Sequence, residues 1–212
     1  VCNDGNISLA VNGKVVTKGK NSNPRKGYIC IESEGGVVHY RNMIIKELPN
    51  TPIKPEQIAI MDRGYRCLYS GVDFSGWKAT SGWRSHDWQF RFHGSKDEAD
   101  TSLKSEELFD DYGFIFDVRV SEETKPLAFQ LRGKDISAIQ VAPDMYKGVL
   151  LLKGRNWNRF EGELRGDQLT LTLNGKKIFD GKKIDRLPVK GPIRIVPTGP
   201  ISMANIYVRP LD

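Results

Sequence analysis

Residues 112–120 read Tyr-Gly-Phe-Ile-Phe-Asp-Val-Arg-Val, and this stretch decides the fold. Every second side chain is large and apolar, whereas the positions between them carry Gly113, Ile115, Asp117 and Arg119. Because successive side chains of a β-strand point to opposite faces, the alternation predicts a strand with one face in a hydrophobic core.

Shorter strands are predicted on the C-terminal side of this segment, at residues 126–132, 136–142 and 148–153, each bounded by Gly, Pro or Asp. Amphipathic helices are scarce, and residues 102–109 form the one candidate. Many short strands separated by turn residues are typical of a two-sheet β-sandwich. The sequence therefore predicts an all-β fold.

Two hairpin-like segments repeat along the chain. Residues 6–14 read Asn-Ile-Ser-Leu-Ala-Val-Asn-Gly-Lys, and residues 168–176 read Gln-Leu-Thr-Leu-Thr-Leu-Asn-Gly-Lys. Each alternates apolar and polar residues up to Asn-Gly, which suits a hairpin turn because both turn residues adopt positive φ. Residues 26–31 likewise match 190–195, and residues 42–48 match 205–211.

The spacing of the repeat predicts the domain organisation. Asn12 and Asn174 are 162 positions apart, a separation typical of two tandem domains. We expect residues 1–48 to be the C-terminal strands of a first jelly-roll domain, residues 49–66 a proline-rich linker with a short helical turn at 56–61, and residues 67–212 a complete second domain. The remainder of the first domain is expected to precede Val1 or to come from another copy.

Composition limits the classes of partner. The chain has 212 residues, 39% of them hydrophobic, and a net charge of +6 that is not concentrated in one segment. Without a basic stripe, we expect no nucleic-acid partner. No apolar run approaches the roughly 20 residues that a membrane-spanning helix needs. Cys2 and Cys30 either form a disulfide or are buried thiols, and the cysteine and histidine spacings predict neither a metal site nor a cofactor.

Four segments share an order and spacing with one known family. They are residues 68–77 (LYSGVDFSGW), 107–117 (ELFDDYGFIFD), 157–171 (WNRFEGELRGDQLTL) and 26–48 (KGYICIESEG…YRNMIIKEL). Together they resemble the domains of bacterial 3-keto-disaccharide hydrolases. The resemblance implies a jelly roll of the concanavalin A-like lectin/glucanase type, export to the periplasm or the extracellular space, and hydrolysis or elimination of 3-keto-glycosides.

The same resemblance implies a polar site. Arg132, Gln140 and Asp144 match the central motif of the family, whereas Ala138 stands where the family has a glutamate. Arg132 and Gln140 are then expected to bind sugar hydroxyls or the keto oxygen. Asp117 or Asp144 would supply the catalytic carboxylate, since abstraction of a proton beside the carbonyl requires a general base.

The tryptophans suggest a sugar-binding rim. Trp83 and Trp88 are candidates for stacking on sugar rings, whereas Trp77 and Trp157 lie in family motifs where packing is the expected role. Two functions remain open at this point. One is a glycoside hydrolase or lyase that acts on 3-keto-glycosides, and the other is a non-catalytic carbohydrate-binding or domain-packing module.

Overall fold

The computed structural model describes residues 1–49, 51–94, 100–121, 127–133, 138–141, 154 and 156–212. The chain divides into two compact units, Val1–Gly64 (unit 1) and Tyr65–Asp212 (unit 2).

Unit 1 contains a three-stranded antiparallel sheet. Its strands are β1 (Cys2–Asn3), β2 (Asn6–Val11) and β3 (Lys14–Gly19), in that order. The turn between β2 and β3 has positive φ at both Asn12 and Gly13, as the Asn-Gly pair predicts. The helical turn expected at residues 56–61 takes the form of two short 3₁₀ helices, Pro55–Gln57 and Ile60–Arg63.

The described residues between 26 and 48 form no strand, contrary to the repeat, and contribute only an isolated bridge between Lys26 and Ile58. The matching strands of unit 2 each pair with neighbours on both sides, and the described part of unit 1 supplies no equivalent neighbours. Without partners for the backbone N–H and C=O groups, a β-ladder cannot form. Large apolar side chains of this stretch are consequently exposed: Tyr28, Ile29, Ile31, Met43, Ile44 and Ile45.

Unit 2 is an antiparallel sandwich of two sheets. Its strands are β4 (Arg66–Cys67), β5 (Trp77–Ala79), β6 (Trp83–His86), β7 (Gln89–Phe92), β8 (Leu103–Ser105), β9 (Tyr112–Val120), β10 (Leu127–Gln130), β11 (Ala138–Val141), β12 (Asn158–Arg165), β13 (Gln168–Leu173), β14 (Lys176–Lys183), β15 (Arg194–Val196) and β16 (Ile201–Pro210). The larger sheet has the order β14-β13-β12-β9-β16-β7-β6, with β4 also paired to β16, and the smaller sheet has the order β11-β10-β15-β8-β5.

Aromatic side chains join the two sheets. Phe129 of the smaller sheet lies 4.3 Å from Phe116 and 5.6 Å from Phe160, both of the larger sheet, between ring centroids. All three are buried in one core with the inward-facing residues of β7, β13 and β16. Burial of these rings removes the largest apolar areas of the sequence from water, and this is the main force that holds the sheets together.

The predicted fold class is confirmed: unit 2 is an all-β jelly-roll sandwich. The strand predicted at residues 112–120 forms with those bounds, and the strands predicted at 126–132 and 136–142 form as the shorter β10 and β11. The segment 148–153 lies outside the described residues. The helix considered at 102–109 is wrong, because β8 occupies its start and pairs with β5 and β15 on its two sides.

The bonding and the exposure of the cysteines differ from both expectations. Cys2, Cys30 and Cys67 are free and exposed, so neither a disulfide nor burial holds for Cys2 and Cys30. Within the described ranges, no three His, Cys, Asp or Glu side chains converge as metal ligands. The same part of the chain contains no helix long and apolar enough to span a bilayer.

Candidate functional site

A row of polar side chains crosses the outer face of the larger sheet, away from the core. Ser202 of β16 pairs with Arg91 of β7 on one side and with Arg119 of β9 on the other, and Arg84 of β6 stands opposite Arg91. Trp157, just before β12, lies beside Arg119 at the far end. These five residues are called the arginine row. Their sequence neighbours on β7, β9 and β16 are buried, so strand alternation directs the row outward.

Side-chain contacts hold the centre of the row in place. The Oε1 atom of Gln89 accepts hydrogen bonds from Arg91 Nε (3.3 Å) and from Arg119 Nη2 (3.1 Å). Arg119 Nη2 also lies 3.4 Å from Ser202 Oγ. The guanidinium carbon of Arg119 lies 4.8 Å from the centre of the Trp157 ring, within the range of a cation–π contact. A guanidinium, an amide, a hydroxyl and an indole are thus adjacent on one surface.

A shallow depression of about 160 Å³ opens at this end of the sheet. Arg91, Arg119 and Ser202 line it, together with His93 and Pro200. Its volume is below the roughly 300 Å³ at which ligand-enclosing pockets begin, so the surface can hold part of a ligand but cannot enclose one.

Asp117 lies one row further along the same face, where it is buried in a polar cluster. Its two carboxylate oxygens accept hydrogen bonds from Arg159 Nε and Nη2, both at 2.8 Å, and Asn205 Nδ2 donates a third at 2.7 Å. The hydrogen bond to Asp117 raises the pKa of Arg159. Asn205 has a positive φ at the irregularity between β9 and β16, which brings its amide to the carboxylate. Asp117 therefore joins three strands, and its proposed catalytic role stays a prediction.

Arg132 is also buried, at the point where β10 ends. It donates from Nε to Asp110 O (2.6 Å), from Nη1 to Gly166 O (2.8 Å) and Pro188 O (3.1 Å), and from Nη2 to Asp111 Oδ1 (2.6 Å). A pocket of about 560 Å³ lies beside it. These contacts tie three loops to β10, and most of the donors of the guanidinium are occupied by protein. Sugar binding by Arg132 stays a prediction.

The other residues of the family motif lie on the smaller sheet. Gln140 of β11 stands opposite Ala128 of β10, and Ala138 stands opposite Gln130. Asp144 lies outside the described residues. Because Asp117 belongs to the larger sheet, the sandwich does not bring it together with the strand of Gln140.

The two candidate tryptophans have different environments. Trp83 is buried, contacts Phe92 and donates from Nε1 to Thr101 O at 2.8 Å. Trp88 is 71% exposed and lies in the turn between β6 and β7, directly before Gln89. Of the pair, Trp88 alone presents its ring to solvent, and this ring lies over Gly71.

Sequence reasoning missed the arginine row. The signal was present, because Gln89 and Arg91 alternate with buried Phe90 and Phe92 just as Arg119 alternates with valines. The register that places Arg91 and Arg119 on either side of Ser202 joins segments more than 80 residues apart, however, and cannot be derived from either strand alone.

Comparisons with known proteins bear on the fold. No protein-family model matches the chain, and no curated protein matches it. Two solved structures of provisionally named glycosyl hydrolases from Parabacteroides distasonis ATCC 8503 are similar. One has a TM-score of 0.59 at 17% identity and covers 72% of this chain and 96% of its own. The other has a TM-score of 0.56 at 18% identity and covers 69% and 99%.

A structure named sialidase also matches, with a TM-score of 0.50 at 12% identity, over 66% of this chain and 17% of its own. At these identities the likeness shows a shared β-sandwich and nothing finer. The fold therefore places unit 2 in the class of jelly-roll β-sandwiches, a class that supports many different functions.

Proposed function

We propose that unit 2 binds carbohydrate on the outer face of its larger sheet. The observation that carries the proposal is the contact of Arg119 with Trp157, Gln89 and Ser202. An indole offers a flat apolar surface to the C–H face of a pyranose, while the guanidinium, amide and hydroxyl can hydrogen-bond its hydroxyls. The shallow depression suits an extended glycan that lies across the strands.

Two lines of support come from outside the site itself. The structural neighbours from Parabacteroides distasonis are named as glycosyl hydrolases, and a third is named a sialidase. The sequence segments resemble 3-keto-disaccharide hydrolase domains. The structural neighbours and the sequence resemblance are both compatible with a protein that binds carbohydrate without cleaving it, because one fold supports many functions.

Binding is favoured over catalysis by the state of the carboxylates. Glycoside cleavage commonly needs two carboxyl groups roughly 5 to 10 Å apart, one of them able to exchange a proton. Asp117 is committed to Arg159 and Asn205, and Ala138 replaces the glutamate of the family motif. Hydrolysis or elimination of 3-keto-glycosides, with Asp117 or Asp144 as base and Arg132 and Gln140 as substrate ligands, is the alternative hypothesis. Export to the periplasm or extracellular space belongs to both.

A glycan array tests the proposal with the full chain. Wild-type protein should be retained by a defined set of glycans, and Trp157→Ala should lose most of that retention. Arg165→Ala is the matched control, since Arg165 is an exposed residue at the opposite end of β12. Retention of no glycan by the wild type, or equal loss in both variants, would contradict the proposal. Turnover of 3-keto-trehalose by the wild type would favour the hydrolase alternative.

A further inference from the structure

We propose that the arginine row selects acidic sugars, whose carboxylate binds between Arg84, Arg91 and Arg119. The inference rests on the proposed carbohydrate function and narrows the substrate class to glycans that contain a uronic acid or another carboxylated sugar.

Like charges lie next to one another on this face of the sheet. Arg84 and Arg91 stand directly opposite each other on β6 and β7, an arrangement that destabilises a sheet. Arg91 and Arg119 both donate to the single Oε1 atom of Gln89, which holds two guanidinium groups close together. An anion bound at this point would relieve the repulsion of all three.

Few described carboxylates balance the charge of the arginine row. Asp87 is the one described carboxylate bonded to the row, and its exposed Oδ2 lies 3.3 Å from Arg91 Nη2. Asp117, the next carboxylate on the face, is occupied by Arg159 and Asn205. Within the described part of the chain, no carboxylate pairs with Arg84 or Arg119, so the described row contains three guanidinium groups and one ion-paired carboxylate.

Arg119 retains hydrogen-bond donors that can bind a ligand. Arg119 uses Nη2 for its contacts with Gln89 and Ser202, which leaves Nε and Nη1 without a hydrogen-bond partner among the described residues. These two donors point to different sides of the guanidinium, because each of its two-pronged edges includes Nη2. Each can therefore donate one charge-assisted hydrogen bond to a carboxylate oxygen. The ring of Trp157 lies 4.8 Å from the guanidinium carbon, adjacent to these donors. A uronic acid carries its carboxylate directly on the pyranose ring, so one sugar unit can stack on the indole and reach Arg119.

The experiment compares the affinity of the protein for an acidic glycan with its affinity for the uncharged methyl ester of the same glycan. Oligomers of galacturonic acid and their methyl esters, which differ only in the charge of the carboxyl group, are titrated into the full chain and followed by Trp fluorescence and calorimetry, beside the general glycan array. We expect the acid to bind at least about tenfold more tightly than the ester, with an advantage that declines as salt rises from about 50 mM to about 500 mM.

Variants separate the row from general electrostatics. Arg84→Gln and the double variant Arg91→Gln/Arg119→Gln should reduce the acid-to-ester preference, whereas Arg165→Gln removes a charge elsewhere on the face and should leave it intact. Arg84 is exposed and has no partner among the described residues, so its replacement tests the row without disturbing packing.

The outcomes distinguish the two proposals. Equal affinity for acid and ester, or an unchanged preference in Arg84→Gln and in the double variant, overturns the acidic-sugar inference and leaves carbohydrate binding in place. If the protein is retained by neutral glycans of the array and by no acidic one, the acidic-sugar inference is likewise overturned and carbohydrate binding stays in place. Failure to retain any glycan, acidic or neutral, overturns both. Tighter binding of a single-stranded oligonucleotide than of any uronate would also overturn the inference.

Discussion

Leu9 and Leu171 occupy equivalent positions in two hairpins whose registers match from these residues to the turn, yet Leu9 is 54% exposed and Leu171 is fully buried. Leu9 pairs with Thr17 and Leu171 pairs with Phe179, and in both hairpins the next step contains a β-bulge. The strands β2 and β13 also begin and end at matching positions of the repeat. The two segments share a local conformation and differ in what covers them.

The first prediction follows from this contrast. Leu171→Ala should lower the free energy of unfolding of unit 2 by about 2–5 kcal/mol, because it leaves a cavity in the core. Leu9→Ala should change the stability of its hairpin by less than about 0.5 kcal/mol, as is usual for exposed sites. Urea denaturation followed by Trp fluorescence measures the first, since all four tryptophans lie in unit 2. Hydrogen exchange of the β2 and β3 amides measures the second.

The control for this pair is the Asn-Gly turn, which both hairpins contain. Gly13→Ala and Gly175→Ala should each destabilise their own hairpin, because both glycines have a φ of 75° or more. A large effect of Leu9→Ala would contradict the exposure seen for Leu9 and would show that a further surface covers it in solution.

Most of the fold could be predicted from the sequence, because its signal is local. The alternation in residues 112–120 is enough to define β9, and Asn-Gly defines the hairpin turns. The helix considered at 102–109 does not form, because β8 pairs with β5 and β15. These partners lie outside the segment, so its own sequence pattern gives no sign of them. Residues 26–31 and 42–48 form no strand for a similar reason, since the described part of unit 1 supplies no neighbouring strands for them.

The candidate site was less predictable, because side-chain environment depends on packing between distant segments. Trp83 and Trp88 are five positions apart and look equivalent in the sequence, but strand alternation directs Trp83 into the core while Trp88 lies in an exposed turn. Asp117 was correctly placed on a strand. Its burial by Arg159 and Asn205 depends on the register of β9 with β12 and β16.

The second prediction concerns Asp117. Asp117→Asn removes the charge that Arg159 and Asn205 bind, and it should lower the free energy of unfolding by about 1–3 kcal/mol, the usual contribution of hydrogen bonds to a charged group. Glu163→Gln, at the more exposed ion pair with Arg209, is the control and should cost no more than about 1 kcal/mol. Chemical denaturation of both variants measures the difference.

The same variant also tests the catalytic hypothesis for Asp117. If Asp117→Asn kept wild-type stability but abolished turnover of a 3-keto-glycoside, the carboxylate would be a base and its structural role here would be wrong.

The third prediction separates the two tryptophans. Trp83→Ala should destabilise unit 2 by about 3–5 kcal/mol, because a buried indole and its bond to Thr101 are lost. Trp88→Ala should change stability by less than about 0.5 kcal/mol and should weaken glycan binding, because it removes the exposed ring predicted to stack on sugar. Thermal unfolding and glycan titration are measured on both.

Gly71 provides an independent way to move Trp88. A Cβ atom at this position would lie 2.2 Å from Cε3 of Trp88, and the φ of Gly71 is 85°. Gly71→Ala should therefore displace the indole and reproduce the binding defect of Trp88→Ala. Normal glycan affinity in both variants would show that Trp88 takes no part in glycan binding.

The fourth prediction is a pH dependence of stability. A hydrogen bond from the Ser102 side chain, with further contributions from its backbone N–H and from Arg194, holds the pKa of Asp100 below its ordinary value of 3.8. A carboxyl group with a lowered pKa in the folded state stabilises the fold above its unfolded pKa, and it loses this contribution as the pH falls through the folded pKa. The stability difference between wild type and Asp100→Asn should thus be constant above about pH 5 and shrink below about pH 4.

Lys78→Gln, an exposed change on the same sheet, is the control for this prediction. The stability difference between wild type and Lys78→Gln should not show the same dependence on pH, because lysine does not titrate in this range. Urea denaturation from about pH 2 to about pH 7 measures both, and a difference for Asp100→Asn that grows as the pH falls would contradict the assigned sign.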